Sequence, residues 1–362
     1  MLRSVNIAHT IMKIRYEDLN YFLSPLFKNG PEPVNLYINY ESVLSLLSRQ
    51  FDIDSTLERE KSLDRSMLGE LLNLAAHYKR FFVGNHCNVK VFFYYTDLSS
   101  KKFPAMKDIV SDYRSRYLNK FNKNVAYTKL GSVCINTVIP YAENICRFIP
   151  DVYFLKATDF EGSIIPGFVS SLYPNRRNII VSNDIYDTQY MVENGFTVLY
   201  IRRSFHTHKM DKIVNPLVVA NKILNYEEVK APEFLGNFVY YKLLLSSVKN
   251  QRRNIPSIKG YGPRTITKYY EPLITQSKLP REPRSENYIL SKVKDVNVAN
   301  EIKRNYQAYD IHYHFNLLEE YNAQNLLSNI VDSFDYNSLL KLNKFYMSET
   351  PIKLDDLTAQ AR

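Results

Sequence analysis

Short β-prone runs that alternate with stretches of helical spacing limit this chain's fold more than any other feature. Val34 to Asn39 is a brief apolar run, and Val89 to Tyr95 is strongly β-prone. Val152 to Lys156, Asn178 to Ser182 and Thr197 to Arg202 repeat the pattern. The last two lack the in–out alternation of a half-exposed sheet, as parallel strands covered on both faces do. Helical stretches separate the runs. Val43 to Phe51 continues as a helix. Met67 to Phe82 is amphipathic, with Leu68, Leu71, Leu72, Leu74 and Ala75 at helical spacing. Another helix starts near Glu161, and a further one near Thr188–Glu193 is closed by Asn194-Gly195. This order predicts an α/β domain with a central, mostly parallel sheet flanked by helices. After Lys230 the pattern turns helical: Phe234 to Val248, Pro263 to about Tyr270, and roughly 297–308 and 314–333. Residues 276–287 read as a solvated connector, and the tail after Thr350 is expected to fray.

Composition narrows the setting. A chain of 362 residues with 45% hydrophobic content can bury a sizeable core. No apolar run approaches the eighteen residues of a membrane span, and Met1 to Lys13 does not read as a signal peptide. Cys87, Cys134 and Cys146 are scattered, with no C-x-x-C pair. They point to a reducing, cytoplasmic compartment and to neither a disulfide framework nor a zinc site. The net charge of +10 suits a polyanionic partner. The wealth of Tyr, Asn, Ile and Lys, with no Trp, is what an AT-rich genome encodes, as in many viruses and phages.

Gly is scarce, ten residues in all, yet Gly260 and Gly262 lie one residue apart, followed by Pro263 and Arg264. Without a Cβ, such a turn lets backbone N–H groups face a phosphate at the start of a helix. Lys259, Arg264 and Lys268 surround it, and Asn254-Ile255-Pro256 leads into it. The segment resembles the helix-hairpin-helix turn with which the flap endonuclease/5′-nuclease (PIN-like) superfamily grips duplex DNA. The resemblance spans roughly residues 34–275.

It implies a PIN-like α/β domain over 1–230, a helix-hairpin-helix (H3TH) subdomain over 231–275, and a connector with C-terminal helices over 276–362. The basic segment 99–127 falls where the family has its arch, which makes Arg114 and Arg116 candidates for steering the scissile phosphate. The family holds divalent metals with carboxylates at the carboxyl ends of parallel strands. Magnesium favours hard oxygen ligands, and two metals can stabilise the attacking and leaving oxygens. The acids that match in order are Asp97 after the second strand, Asp159 and Glu161 in Thr158-Asp159-Phe160-Glu161-Gly162, and Asp184 in Ser182-Asn183-Asp184-Ile185-Tyr186-Asp187-Thr188-Gln189. A monovalent cation at the hairpin turn is a further implication.

Several positions depart from the family pattern. Asn39 stands where the first strand would end in an acid, with Glu41 two residues late. Gly162 replaces a third acid, and Tyr186 replaces another, with Asp187 one residue late. Ahead of the hairpin, Asn250, Arg252 and Arg253 stand in a stretch where acids are expected. Positive charge there competes with a metal and can itself hold a phosphate. The pattern therefore implies at most one Mg²⁺ or Mn²⁺ at Asp97, Asp159, Glu161 and Asp184. The pairs His206/His208 and His312/His314 have no Cys or acid at a usual zinc spacing.

The expectation is a DNA-binding, 5′-nuclease-like protein with impaired or lost catalysis, serving a viral replication, transcription or virion complex. Duplex or branched DNA is the expected partner, with other proteins of that complex. Two alternatives stay open. One is an active metal-dependent flap endonuclease or 5′–3′ exonuclease with a reduced metal site. The other is a structural protein that has lost DNA binding.

Overall fold

The structure, a computed structural model, describes residues 23–42, 60–96, 139–147, 149–157, 161–182, 184–192, 196–202, 212–214, 258–260, 290–291, 293–311 and 313–314. In chain order its principal elements are β1 (Val34–Asn39), α1 (Glu60–Gly84), β2 (Val89–Thr96), α2 (Ile139–Cys146), β3 (Val152–Ala157), α3 (Ile165–Leu172), β4 (Arg177–Ser182), β5 (Phe196–Arg202), β6 (Lys212–Val214) and α4 (Val296–Tyr309). The strands form one six-stranded sheet in the order β3-β2-β1-β4-β5-β6. The first five run parallel, and β6 pairs antiparallel to β5. The fold is therefore the α/β, mostly parallel architecture that the strand–helix alternation implies.

Side chains alternate across the sheet and both faces are covered. Leu36, Ile38, Val91, Phe93, Phe154, Ile179 and Val181 pack with α1 and α2. Tyr37, Phe92, Tyr94, Leu155, Ile180 and Val198 pack with α3 and with Ile311, just past α4. On this second face Tyr153, Phe92, Tyr37 and Phe196, from β3, β2, β1 and β5, stack in a row, with centroid separations of 4.9, 5.4 and 6.4 Å. Stacked rings add to the burial of their area. They help explain why so many strand positions are aromatic.

The amino-terminal rim of the sheet is closed by polar contacts. Arg176 donates to Asn35 Oδ1 at 2.8 Å, to the Val34 carbonyl at 2.8 Å and to the Asn88 carbonyl at 3.0 Å. Lys90 pairs with Asp151 at 3.0 Å. Lys79, almost wholly buried, donates to the Pro150 carbonyl at 2.7 Å. These side chains tie together the starts of β1, β2, β3 and β4 and supply donors to carbonyls along that rim.

Several elements differ in detail from the sequence reading. α1 begins seven residues earlier than its amphipathic stripe, at Glu60 rather than Met67. The stretch after Glu161 starts as a 3-10 turn, Gly162–Ile164, before α3 takes over with Pro166 in its first turn. Ile185–Val192 is a 3-10 helix. α4 closely matches the expected 297–308 and is capped by Asp295, whose side chain accepts from Asn297 N–H at 2.8 Å. Cys87 and Cys146 are free and buried. Among the described residues no helix is long and apolar enough to cross a membrane. The segment 99–127 expected to be arch-like, the helices expected at 43–51 and 234–248 and the hairpin expected beyond Gly260 lie outside the described residues.

Candidate active site at the carboxyl ends of the strands

From β1 the chain moves outward through β2 to β3, then crosses back to β4 on the other side of β1. The strand order therefore reverses between β1 and β4, and open α/β sheets collect ligands outside the carboxyl ends at such a point. Asn39 ends β1 and Ser182 ends β4, one on each side of it.

The centre of this edge is Asp187, which is fully buried. Its Oδ2 accepts from Asn39 Nδ2 at 2.8 Å, from Tyr94 Oη at 2.9 Å and from Ser182 Oγ in a short contact. Its Oδ1 is buried with no hydrogen-bond partner among the described residues. Ser182 Oγ also accepts the Asp184 N–H at 2.9 Å and lies 3.3 Å from Ser42 Oγ. The Ser182 proton is committed to Asp187, so Ser42 is the donor in that last pair. Asp184 Oδ1 accepts the Tyr186 N–H at 3.1 Å, a local turn that fixes its carboxylate.

Burial pushes the Asp187 carboxyl up to about 7, the nearby Asp184 charge adds to the rise, and the donors from Ser182, Asn39 and Tyr94 oppose it. The Tyr94 phenol is raised well above its ordinary range, first by burial and then by the Asp187 charge. It therefore stays protonated and serves as a donor.

A second cluster lies at the end of β2. Thr96 N–H donates to Glu41 Oε1 at 3.2 Å, and Thr96 Oγ1 lies 3.4 Å from Glu161 Oε2. Gly162 N–H donates to Thr96 Oγ1 at 2.9 Å. Gly162 is pressed against the strand: a Cβ there would sit 2.7 Å from the Tyr95 carbonyl carbon. No side chain fits at 162 unless the β2 backbone moves.

Of the residues singled out from sequence, Glu161 and Asp184 are described, both are buried and both stand at this edge. Lys259 and Gly260 are exposed, and Gly260 has a left-handed φ of 84°. Asp97, Asp159, Arg114, Arg116, Arg252, Arg253, Gly262, Arg264 and Lys268 lie outside the described residues, as do His206, His208 and His312. His314 is buried and lies 2.9 Å from the Gln307 carbonyl. The sequence reading did not assign Asp187 and Tyr94 to the site. For Asp187 the available signal was its spacing from Asp184.

Glu161 and Asp184 offer hard oxygen donors of the kind Mg²⁺ or Mn²⁺ takes. The rest of a two-metal set does not fit. Asn39 is neutral with both ends of its amide engaged, position 162 has no room for an acid, and Tyr186 is a fully buried phenol. Among the described residues no three His, Cys, Asp or Glu side chains form a metal cluster.

No family model matches the chain, and no curated protein matches it in sequence. Solved structures do match. The T5 D15 protein co-crystallised with metal ions has 11% identity and a TM-score of 0.50, over 85% of this chain and 99% of that one. The bacteriophage T5 D15 flap endonuclease, in a pseudo-enzyme–product complex with DNA and metal ions, has 10% identity and a TM-score of 0.44, over 88% and 99%. The T5 5′-exonuclease with bound zinc ions has 9% identity and a TM-score of 0.46, over 88% and 99%. The likeness is one of fold: this chain has the flap endonuclease, PIN-like fold.

Proposed function

We propose that this protein binds duplex or branched DNA on a 5′-nuclease scaffold in which metal-dependent cleavage is weak or lost. The observation that supports this reading most is that three acid positions implied by the resemblance hold residues built into the protein interior. Asn39 is hydrogen-bonded within the protein at both ends, Gly162 abuts the β2 backbone, and Tyr186 is buried. On this reading the protein is an architectural component of a viral replication, transcription or virion complex and works in the host cytoplasm. Lys259 and Gly260 open the hairpin turn that would face phosphate, with Gly262, Arg264 and Lys268 completing it and a monovalent cation beside it. Arg252, Arg253, Arg114 and Arg116 would add positive charge along the duplex.

A second reading, an active nuclease with a reduced site, is favoured by the retention of Glu161 and Asp184 at the strand ends. Buried carboxylates gathered without a cation repel one another. On that reading one Mg²⁺ or Mn²⁺ is held by Asp97, Asp159, Glu161 and Asp184. Incubating the protein with flap and 5′-overhang substrates in Mg²⁺ or Mn²⁺ separates the two. Binding without cleavage supports the first, and cleavage that disappears in Asp184→Ala supports the second.

A further inference from the structure

Asn39 occupies the strand end where the resemblance implies a metal-binding acid. Its side chain has one arrangement that its neighbours accept. Oδ1 receives the Ser42 N–H at 3.0 Å, and Nδ2 donates to Asp187 Oδ2 at 2.8 Å. Turned over, the amide would set an oxygen against a carboxylate oxygen and an NH₂ against an N–H. The two partners thus fix which end is which.

Asp187 is the counterpart. Its Oδ2 gathers donors from the ends of three strands: Asn39 on β1, Tyr94 on β2 and Ser182 on β4. Asn39 and Tyr94 are direct partners in the parallel register, so one carboxylate oxygen spans adjacent strands. The same Ser182 hydroxyl accepts the backbone N–H of Asp184. With both acids ionised, an acid at 39 would bring two carboxylate oxygens within hydrogen-bond distance with no proton between them, and like charges in a buried place are costly. The neutral amide at 39 and the buried acid at 187 therefore explain each other.

We propose that Asp187, paired with Asn39, is the positioning residue of this edge: it locks the ends of β1, β2 and β4, sets the backbone that presents Asp184, and withdraws position 39 from any metal site. The proposal stands whether or not the protein cuts DNA.

The test uses the full-length protein and the variants Asn39→Asp, Asp187→Asn and the double exchange. Thermal melting is measured on each, with Mn²⁺ titration by calorimetry. Asn39→Asp is expected to lower Tm by about 5 °C or more and to gain no Mn²⁺ affinity. The double exchange restores a single buried charge and is expected to recover part of that loss. Full recovery is not expected, because the hydroxyls of Tyr94 and Ser182 must turn from donating to accepting.

Should Asn39→Asp fail to fold, Asn39→Ser reads the same coupling without adding charge. Asp187→Asn then costs less on the Asn39→Ser background than on wild type. Strictly additive losses in either cycle would overturn the proposal. So would an Asn39→Asp protein that melts like wild type and binds Mn²⁺ more tightly, because position 39 would then face the metal site.

Discussion

Lys79 and Asp187 are buried ionisable residues at opposite rims of the sheet, and pH should act on them in different ways. Burial lowers the Lys79 ammonium from 10.5 to about 8, with the Asp151 charge partly offsetting the fall. Below pH 8 Lys79 is charged in both folded and unfolded chains. Between about 8 and 10.5 the unfolded chain binds more protons, so stability from this group rises with pH across that window. Lys79→Met is expected to lack that rise, which denaturant titrations at pH 7.5 and 9.5 would register as a smaller difference than wild type shows. Asp187 runs the other way. Its folded pKa of about 7 exceeds the unfolded 3.8, so its contribution is fully present below pH 4 and is lost as pH rises through 7. Stability of wild type relative to Asp187→Asn should therefore fall across that interval, and a flat difference would count against the assignment. At Gly162 the constraint is steric. The atoms a Cβ would meet are backbone, 2.7 to 3.0 Å away. Gly162→Ala is expected to cost about 1–3 kcal/mol by chemical denaturation.

At the scale of elements, the strands were the most legible part of the sequence. Runs such as Val34–Asn39 and Asn178–Ser182 lack the in–out alternation of an exposed sheet because α-helices cover both sides. β6 was not legible: three residues, Lys212–Val214, carry too little pattern to separate from a loop. The segment after β4 was read as helical around Thr188–Glu193; it is a 3-10 helix that starts earlier, at Ile185. That difference conceals the main site residue. The Asp187 N–H bonds the Asp184 carbonyl at 3.2 Å, an i to i+3 turn, which places Asp187 one tight turn past Asp184. Counted along the chain, Asp187 is one residue late against the family pattern. In space it lies under the strand ends. Asp184 and Glu161 were legible because they match the family's acids in order, two residues past β4 and four past β3, whereas Tyr94 looked like one more β-prone aromatic. The turn proposed to face DNA phosphate carries its own prediction. Gly260 has a φ of 84°, a conformation that costs other residues about 1 kcal/mol or more. Gly260→Ala is expected to weaken duplex binding severalfold, as fluorescence anisotropy would read, while leaving the melting of the sheet domain almost unchanged.

Over the whole molecule, the covered parallel sheet gives a firm scaffold, and the net charge of +10 favours a polyanionic partner at long range. Binding that neutralises phosphates releases counterions, so the affinity for duplex DNA should fall steeply and log-linearly with salt. A salt-independent affinity, or none at all, would favour the reading in which DNA binding has been lost. The polar rims point to a division of labour within one fold. The amino-terminal rim is closed by Arg176, Lys90 and Lys79 for stability, and the carboxyl rim is organised by Asp187 around Asp184. The proposed role is to hold DNA on a 5′-nuclease-like fold without cutting it efficiently. One measurement tests it most directly: binding and cleavage of the same labelled flap substrate, with Mg²⁺ or Mn²⁺, by wild type and Asp184→Ala. Salt-sensitive binding by both proteins, with intact substrate throughout, is the predicted result. Robust metal-dependent cleavage by wild type that Asp184→Ala abolishes would contradict it.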